Sequence, residues 1–492
     1  MRVQSDRSRS SASAAQPPGE AVGDVLGGKG LPLRLGVLTE RVTPELVDEV
    51  IEVTGAREAR RRMLPARAVL YFVLGLALFS AADSVGPPGY RSVLRSLTTE
   101  LRELRALVLP TSSALTKARQ RLGAKPLQLL FERTRGVLAG AGEPGAFAFG
   151  LRLVSWDATK LDVADTAANE AAFGRPARGS YPQLQLLTLL ECGTRAVLDA
   201  AFDGVARTSE HALARRVLAT LDAGMLVLAD RNFPGHDLWA LASATGAHLA
   251  WRIKKNLIFD PVTGLADGSY LSVMPTPVEA VRRGKARHAG RELTEPLHGI
   301  TVRIIAYTVT TRAADGTTRT EPFRLVTTLL DPDVAPAAEL AAAYHQRWES
   351  ENGYGEFKTR LRGAEVILRS KSPDLIDQEL FAFLIVDQAL TALRTQAARR
   401  AGVDPDRVSF TVTVRVVRER VASTAALQPV TLARAHAHTL TDLLAELLPP
   451  RRQRRYERIK KPATNHFRAK KPSHTRPPAK VTHTITVLTP TT

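Results

Sequence analysis

The stretch that decides the fold is YHQRWESENGYGEFK, residues 344–358. It follows PAAELAAA at residues 336–343, an alanine-rich run that favours a helix with proline in its first turn. At about 100° per residue, Tyr344, Arg347, Glu351 and Lys358 fall on one stripe roughly 60° wide, with Trp348 just beside it. The sequence therefore predicts a single carboxylate on one helix face, flanked by two cations and a phenol.

The other carboxylates of this stretch point elsewhere. Glu349 and Glu356 lie about 120–140° from Tyr344 on the same helical wheel, well away from the stripe. The spacing alone is equally typical of a solvated helix face, on which residues four apart form ion pairs. The choice between a functional face and a solvated one therefore depends on the rest of the chain.

The composition indicates a basic protein with several domains. The chain has 492 residues, which is enough for two or three domains. Its 68 Lys and Arg against 49 Asp and Glu give a net charge of +19, which favours a polyanionic partner such as nucleic acid or an anionic membrane surface. The single cysteine, Cys192, excludes an intrachain disulfide and a cysteine-rich zinc site, and it fits a reducing cytoplasm.

No stretch of the sequence has the pattern of a secretion signal or a membrane span. Residues 1–30 are rich in Ser, Gly and Pro and lack an apolar core, so we expect a disordered tail. The most apolar run, residues 68–82, is shorter than the ~20 residues that a membrane span needs. We therefore expect this run to be a buried helix of a soluble protein.

Residues 31–142 have a helical pattern and are predicted to form an all-α N-terminal DNA-binding domain. Within them, a Thr/Ser cap precedes a short helix that carries Lys117, Arg119 and Arg121 and that Gly123 closes. Such a helix is what a helix-turn-helix reader presents to DNA. The pattern by itself favours an ordinary basic surface helix, so DNA contact by these three cations is a hypothesis.

The periodicity changes to that of an α/β domain between residue 143 and about residue 400. Strand-like runs, two of them ending in aspartate, occupy residues 147–157, 183–191, 195–202 and 225–230. With the helices around them, they predict a mixed sheet flanked by helices. The short β-runs of residues 254–322 are interpreted as a β-rich insertion outside that sheet. Residues 401–492 form a C-terminal region whose basic tail, from Arg451 on, is expected to contact DNA.

Three carboxylates stand at strand ends or on the decisive helix: Asp157, Asp230 and Glu351. Each alone is common turn or cap chemistry. Together, in a strongly basic protein, they fit a site for divalent cations, because Mg²⁺ prefers carboxylate, phosphate and water oxygens. Two such ions about 4 Å apart can activate an attacking oxygen and stabilise a leaving one in phosphodiester chemistry.

These residues resemble those of the DDE transposases of the insertion sequence 4 family. The pattern YxxRxxxExxxxxxK at residues 344–358 matches that family's Y-R-E-K motif in every position and spacing. The sequences WDAT around Asp157, ADRNF around Asp230 and LRSKSPDL at residues 368–375 support the resemblance. It covers nearly the whole chain, from the helical N-terminal region to the basic C-terminus.

The resemblance implies an RNase H-like catalytic core with a β-rich insertion, acting on double-stranded DNA in the bacterial cytoplasm, at the nucleoid. It implies that the ligands of two Mg²⁺ or Mn²⁺ ions, which are also the catalytic residues, are Asp157, Asp230 and Glu351. It implies that phosphates at the transposon end are contacted by Tyr344, Arg347 and Lys358. The expected partners are terminal inverted repeats and target DNA, bound by a homodimer on paired ends.

Many members of this family use the newly freed 3′-OH to attack the opposite strand, which makes a DNA hairpin. A flipped base then stacks on tryptophan, and Trp348 is the candidate here, with core packing as the alternative. Phe323 is a second candidate for an aromatic side chain that acts as a wedge between bases. The chain departs from the family at Ala158, where Gly is usual after the first Asp, and a positive φ there would strain alanine.

Three functions fit the sequence. The leading hypothesis is a cut-and-paste DNA transposase. A catalytically silent relative that only binds DNA is the first alternative, although the retained carboxylates argue against it. The second alternative is a metal-dependent nuclease without strand transfer.

Overall fold

The structure is a computed structural model that describes residues 33, 35–60, 62–81, 88–99, 109–177, 179–291, 295, 297–312, 316–363, 366–424, 429–450 and 482–488. The predicted N-terminal tail, residues 1–30, and the basic run of residues 451–481 lie outside these described residues. Within the described part, the longest and most apolar helices still fall short of what crossing a membrane requires.

The described residues of the N-terminal region form several helices, whereas an all-α DNA-binding domain stays a prediction. Its helices are α1 (Pro44–Val53), α2 (Ala66–Leu78), α3 (Tyr90–Leu97), α4 (Ser112–Leu122) and α5 (Lys125–Thr134). Thr43 caps the start of helix α1, and its hydroxyl accepts a hydrogen bond from the backbone N–H of Leu46 at 3.2 Å. Helix α2 is the most apolar run, and every residue in it except Arg67 is buried. The expectation of a buried helix is confirmed.

The centre of the molecule is a mixed sheet. Its first strands are β1 (Phe147–Ala148), β2 (Leu151–Asp162), β3 (Gln183–Glu191), β4 (Val197–Gly204), β5 (Met225–Ala229) and β6 (His248–Arg252). Strands β2, β3 and β4 pair in antiparallel fashion, whereas β5 runs parallel to β2 and β6 parallel to β5. The connecting helices are α6 (Ala167–Phe173), α7 (Glu210–Arg216) and α8 (His236–Ser243). The predicted mixed sheet flanked by helices is confirmed.

The β-rich segment extends this same sheet, so the expectation that residues 254–322 lie outside it is wrong. The segment contains β7 (Thr263–Gly264), β8 (Tyr270–Pro275), α9 (Pro277–His288), β9 (Gly299–Arg312) and β10 (Thr318–Thr327). The end of β10 pairs with β6 through Leu325 and Arg252. Because β9 and β10 pair along the whole of β10, this contact brings the entire hairpin into the sheet. Strand β11 (Thr482–Val487) adds to β9.

The decisive stretch is helical throughout but changes its helical form. Helix α10 (Ala337–Tyr344) leads into a 3₁₀ turn (His345–Arg347), then helix α11 (Trp348–Gly355) and a π-helical turn (Glu356–Leu361). The uniform wheel of 100° per residue is therefore an approximation here, since 3₁₀ and π turns hold different numbers of residues. Helices α12 (Pro373–Arg400), α13 (Phe410–Thr424) and α14 (Pro429–Ala445) follow.

Helix α12 joins the N-terminal helices to the sheet. Its Phe381 ring lies 5.9 Å from that of Phe131 on α5 and 5.2 Å from that of Phe202 on β4. One hydrophobic cluster includes residues of α2, α5, β3 and α12. The N-terminal helices thus share a core with the sheet and α12, and an independent domain boundary near residue 142 stays a prediction.

Candidate active site

Two of the three carboxylates come from neighbouring parallel strands. The pairing of β2 with β5 ends at Ser155 and Leu228, so Asp157 lies just beyond it and Asp230 directly follows β5. Parallel neighbours deliver the residues after their carboxyl ends to the same edge of the sheet. Strand β2 does not end at Asp157, as the sequence suggested, but continues to Asp162 because β3 pairs with it.

The third carboxylate, Glu351, lies in the first turn of α11 and meets Asp157 through one guanidinium. Arg347 Nη2 donates a hydrogen bond to Glu351 Oε1 at 2.8 Å, and its Nη1 lies 3.6 Å from Asp157 Oδ2. Asp230 lines a cavity together with Arg347 and Tyr344. The structure therefore brings together all three carboxylates and two members of the predicted stripe.

The charge of this group is visible in the pKa of Asp157. That pKa is raised from 3.8 to about 6, chiefly by burial. The hydrogen bond from the Ala158 N–H and the charge of Arg347 lower it, whereas the charges of Asp230 and Glu351 raise it. The three carboxylates thus interact electrostatically across the site.

Tyr344 and Lys358 both face the sheet at this edge. The Tyr344 hydroxyl donates to the carbonyl of Ala229 at 3.1 Å, and burial raises its pKa to about 12. Lys358 Nζ donates to Thr159 Oγ1 at 2.8 Å, and burial lowers its pKa. Tyr344 therefore contacts the end of β5 and Lys358 contacts β2. These contacts agree with the prediction that both residues lie on one face of the decisive stretch.

Trp348 and Phe323, the candidate wedges, occupy different surroundings. The Trp348 side chain is 41% exposed, which excludes core packing as its place in this structure. The Phe323 ring stacks on Tyr307 at 5.3 Å, and the guanidinium carbon of Arg252 lies 4.0 Å from its centroid. Trp348 is thus more accessible to a DNA base than Phe323, whose ring is covered by Tyr307 and Arg252.

Ala158 is accommodated without strain. It lies within β2, and its N–H donates to Asp157 Oδ1 at 2.8 Å. Among the described non-glycine residues, only Phe149 and Arg195 have positive φ. The departure from the family pattern therefore carries no backbone penalty at this position.

The cations of helix α4 divide into two kinds. Arg119 is only 2% exposed, and its guanidinium donates to Gln378 Oε1 at 2.7 Å and to Ser370 Oγ at 3.1 Å. The hypothesis that Arg119 contacts DNA is therefore corrected, because its donors hold α4 against α12. Lys117 and Arg121 are exposed, and their contact with DNA stays a prediction.

A basic cavity of about 470 Å³ opens beside Asp230. Sequence analysis missed three of the cations that line it: Arg231, Arg252 and Lys255. The sequence did carry a signal, since Arg231 follows Asp230 directly and Arg252 ends β6, two strands from β2. A cavity of this charge fits phosphate groups, which are the commonest contacts of DNA-binding proteins.

The fit of a metal ion to the carboxylates is mixed. The described residues contain no set of three or more His, Cys, Asp or Glu side chains placed to hold an ion. Arg347 lies between Asp157 and Glu351 and supplies positive charge there. The donor chemistry does fit, because three carboxylates suit a hard divalent cation. The site is therefore described in a salt-bridged form, and a metal held by all three carboxylates would require Arg347 to leave Asp157 and Glu351.

Behind α11, Asp387 on α12 is expected to make stability depend on pH. Burial, and after it the charge of Glu356, raises its pKa from 3.8 to about 7, although the charges of Arg394 and Arg195 lower it. Between about pH 4 and 7 the folded state therefore holds a proton that the unfolded state lacks, so the free energy of unfolding falls as pH rises through this range.

Asp387→Asn should remove this pH dependence and be more stable than the unaltered protein at pH 8. The expected increase in the free energy of unfolding is at most about 4 kcal/mol. This follows from the rise of the Asp387 pKa from 3.8 to about 7, because one pKa unit corresponds to about 1.4 kcal/mol. Urea denaturation of both proteins at pH 6 and pH 8 measures it. The same change between the two pH values in both proteins would contradict this role of Asp387.

Comparison with known proteins gives the family. A model of the insertion element 4 transposase N-terminal region matches residues 32–132, and a model of the transposase DDE domain matches residues 148–386. The transposase InsG for insertion sequence element IS4 of Escherichia coli (strain K12) is 28% identical over 442 residues, which cover 86% of this chain and 91% of InsG. The putative transposase InsZ of the same organism is 26% identical over 226 residues, which cover 44% of this chain and 70% of InsZ.

Among solved structures, the cryo-EM structure of the piggyBac transposase synaptic complex with hairpin DNA is similar to this chain. The match covers 87% of this chain and 86% of that one, with a TM-score of 0.44 and 10% identity. The family models and the grouped carboxylates define the class of protein as a DDE transposase. The chain belongs to the insertion element 4 family of these transposases.

Proposed function

We propose that this protein excises an insertion sequence by cutting DNA at its ends and joins the freed ends to a target. The observation that carries the proposal is that Asp157 and Glu351 share the Arg347 guanidinium, which lines a basic cavity together with Asp230. A duplex carries one negative charge per ~1.7 Å of its axis, so a cavity rimmed by arginine and lysine suits its backbone.

The chain's own residues have distinct roles in this proposal. Two Mg²⁺ or Mn²⁺ ions, when bound, would activate the attacking oxygen and stabilise the leaving one, and their holders would be Asp157, Asp230 and Glu351. Arg347 offers a planar fork to a phosphate, whereas Lys358 offers a point charge. The Tyr344 hydroxyl is directed to Ala229, so its contact with a phosphate requires a change of partner.

The overall charge supports double-stranded DNA as the partner. The net charge of +19 favours association with both element ends and target DNA. We further propose that the protein acts as a homodimer on two paired ends. InsG, which is similar over most of its length, is named as the transposase of an insertion sequence, and this supports the proposed substrate.

The test is incubation of the full chain with Mg²⁺ and DNA that carries the terminal inverted repeats flanking its gene. Excised DNA with hairpin or joined ends is the expected result. Binding without any cutting would overturn the proposal in favour of a DNA-binding protein without catalysis. Nicking that ignores the repeats would overturn it in favour of a nuclease.

Trp348 is proposed to stack on a base that leaves the duplex when a hairpin forms. Its exposed ring beside Arg347 is the supporting observation. Trp348→Ala should lower the yield of hairpin about 5- to 150-fold, because stacking of a base on an aromatic ring is worth about 1–3 kcal/mol. Denaturing gels of the reaction measure the yield. Trp348→Phe is the control and should retain most of it, and an unchanged yield in Trp348→Ala would contradict the stacking role.

A further inference from the structure

Arg195 is a buried arginine behind the helix that carries Glu351. It follows the turn after β3 and has a left-handed φ of 68°, which is unusual for a residue with a side chain. Its side chain is 4% exposed. A guanidinium at such a depth is stable only when opposite charges and hydrogen bonds compensate for the lost water. The residues that bind Arg195 therefore show which parts of the fold it connects.

Three carboxylates from separate elements bind this one guanidinium. Nε donates to Glu349 Oε2 at 2.6 Å, and Nη1 donates to Glu356 Oε1 at 2.6 Å. Nη2 donates to Asp406, in the short turn before α13. Glu349 lies at the start of α11 and Glu356 directly after its end. Arg195 thus fastens both ends of α11 from the side away from the active site.

The opposite side of α11 is fixed to the sheet. The Tyr354 hydroxyl donates to the carbonyl of Asp157 at 2.6 Å and accepts from the N–H of Thr188 at 3.1 Å. Ser350 shares a buried hydrogen bond with Ser155 on β2. Helix α11 is therefore held between Arg195 behind it and the strand of Asp157 in front.

External contacts matter for α11 because the helix is weak by itself. It is eight residues long, it contains Gly353 and Gly355, and a 3₁₀ turn and a π turn bound it. Glycine disfavours a helix by about 1 kcal/mol relative to alanine, and short isolated helices are marginal in water. The position and rotation of α11, and hence of Glu351, depend on what binds it.

We propose that Arg195 is a positioning residue for Glu351. By binding Glu349 and Glu356 together, it sets the rotation of α11 at which Glu351 faces Asp157. Arg195 itself touches neither the reacting atoms nor the DNA in this proposal. Its catalytic consequence rests on the proposed function, whereas its hold on α11 does not.

Arg195→Met tests the proposal through hydrogen exchange and single-turnover cleavage. The amides of residues 348–355 should exchange at least about tenfold faster, while those of α2 stay protected, because only α11 loses its anchor. Cleavage of ends that are already bound should slow about a hundredfold, since a misplacement of 1 Å can cost that much. Affinity for the ends should stay within about threefold, because Arg195 is not among the residues that line the basic cavity.

Glu349→Gln is the milder variant if Arg195→Met does not fold. It removes one anchoring charge from α11 and leaves Glu356 and Asp406 to neutralise Arg195. Exchange of residues 348–355 should rise in this variant too. Asp406→Asn weakens the same cluster at a different element, so it should affect α11 less than Glu349→Gln does.

Arg303→Met is the matched control for general destabilisation. Arg303 is fully buried and binds Asp267, Ser269 and the Ala335 carbonyl, none of which lies in residues 344–361. This variant should be less stable without faster exchange in α11. Unchanged exchange and cleavage in Arg195→Met or Glu349→Gln, or equal effects in Arg303→Met, would overturn the proposal. If the unaltered protein cuts no DNA, the proposed function fails, while the exchange comparison still decides the role of Arg195.

Discussion

Glu351→Ala is expected to abolish strand cleavage while leaving binding to the element's ends largely intact. Glu351 would supply one ligand oxygen and one negative charge to the proposed metal site, whereas it is not among the residues that line the basic cavity. Loss of metal-based stabilisation of about 4 kcal/mol corresponds to about a thousandfold in rate. Cleavage gels and fluorescence anisotropy with labelled ends measure the two effects separately.

A control on the same helical stretch makes this result specific. Glu339 is an exposed carboxylate in the first turn of α10, and it takes no part in the site. Glu339→Ala should cut at the normal rate. Cleavage by Glu351→Ala at a rate comparable to that of Glu339→Ala would rule out the metal assignment.

Arg347→Ala should weaken the end complex or stall its chemistry. In the described state the guanidinium binds Glu351 and approaches Asp157, and it also lines the basic cavity. A hydrogen bond to a charged group contributes about 1.5–3 kcal/mol, so removing the bond to a phosphate should weaken end binding about 10- to 150-fold. Arg347→Lys should restore little, because an ammonium cannot present a planar fork.

Salt dependence separates phosphate binding by Arg347 from a merely structural role. If Arg347 neutralises one DNA phosphate, Arg347→Ala should reduce the slope of log affinity against log salt concentration by about 0.9. Arg215→Ala, at an exposed cation on α7, is the control and should leave the specific end complex unchanged. An Arg347→Ala protein that binds and cuts ends normally would contradict the role proposed for this residue.

The candidate site could be predicted from the sequence because helical spacing and strand ends singled out its residues, and the family resemblance joined them. Helical spacing put Arg347 and Glu351 on one face, and strand patterns ended near Asp157 and Asp230. The structure brings these four residues to one edge of the sheet. Asp157 and Asp230 could be singled out without knowing the order of the strands in the sheet, because each follows an apolar run typical of a buried strand.

Burial of charged residues could not be predicted in the same way. Arg119 and Arg195 look alike in the sequence, as cations near turns or on a polar helix face. Their partners, Gln378 and Asp406, come from residues more than 200 positions away along the chain. Local patterns carry no information about such pairs, so the sequence favoured a surface position for Arg119 and indicated no role for Arg195.

The extent of the sheet depended on one pairing that the sequence did not show. The runs of residues 254–322 were correctly taken as β-rich, but their attachment is through Leu325 and Arg252 at the free edge of β6. Strand propensity says that a strand forms, not which neighbour it pairs with. A long hairpin next to an unpaired strand edge extends the sheet because that pairing satisfies the exposed backbone groups of both.

The most direct test of the central claim is the anomalous signal of Mn²⁺ in crystals of the protein bound to its cleaved DNA ends. We predict manganese peaks within about 2.5 Å of carboxylate oxygens from Asp157, Asp230 and Glu351. Arg347 should then have turned from Asp157 to a DNA phosphate. Manganese bound elsewhere, or Arg347 still bridging Asp157 and Glu351 in that complex, would contradict the account.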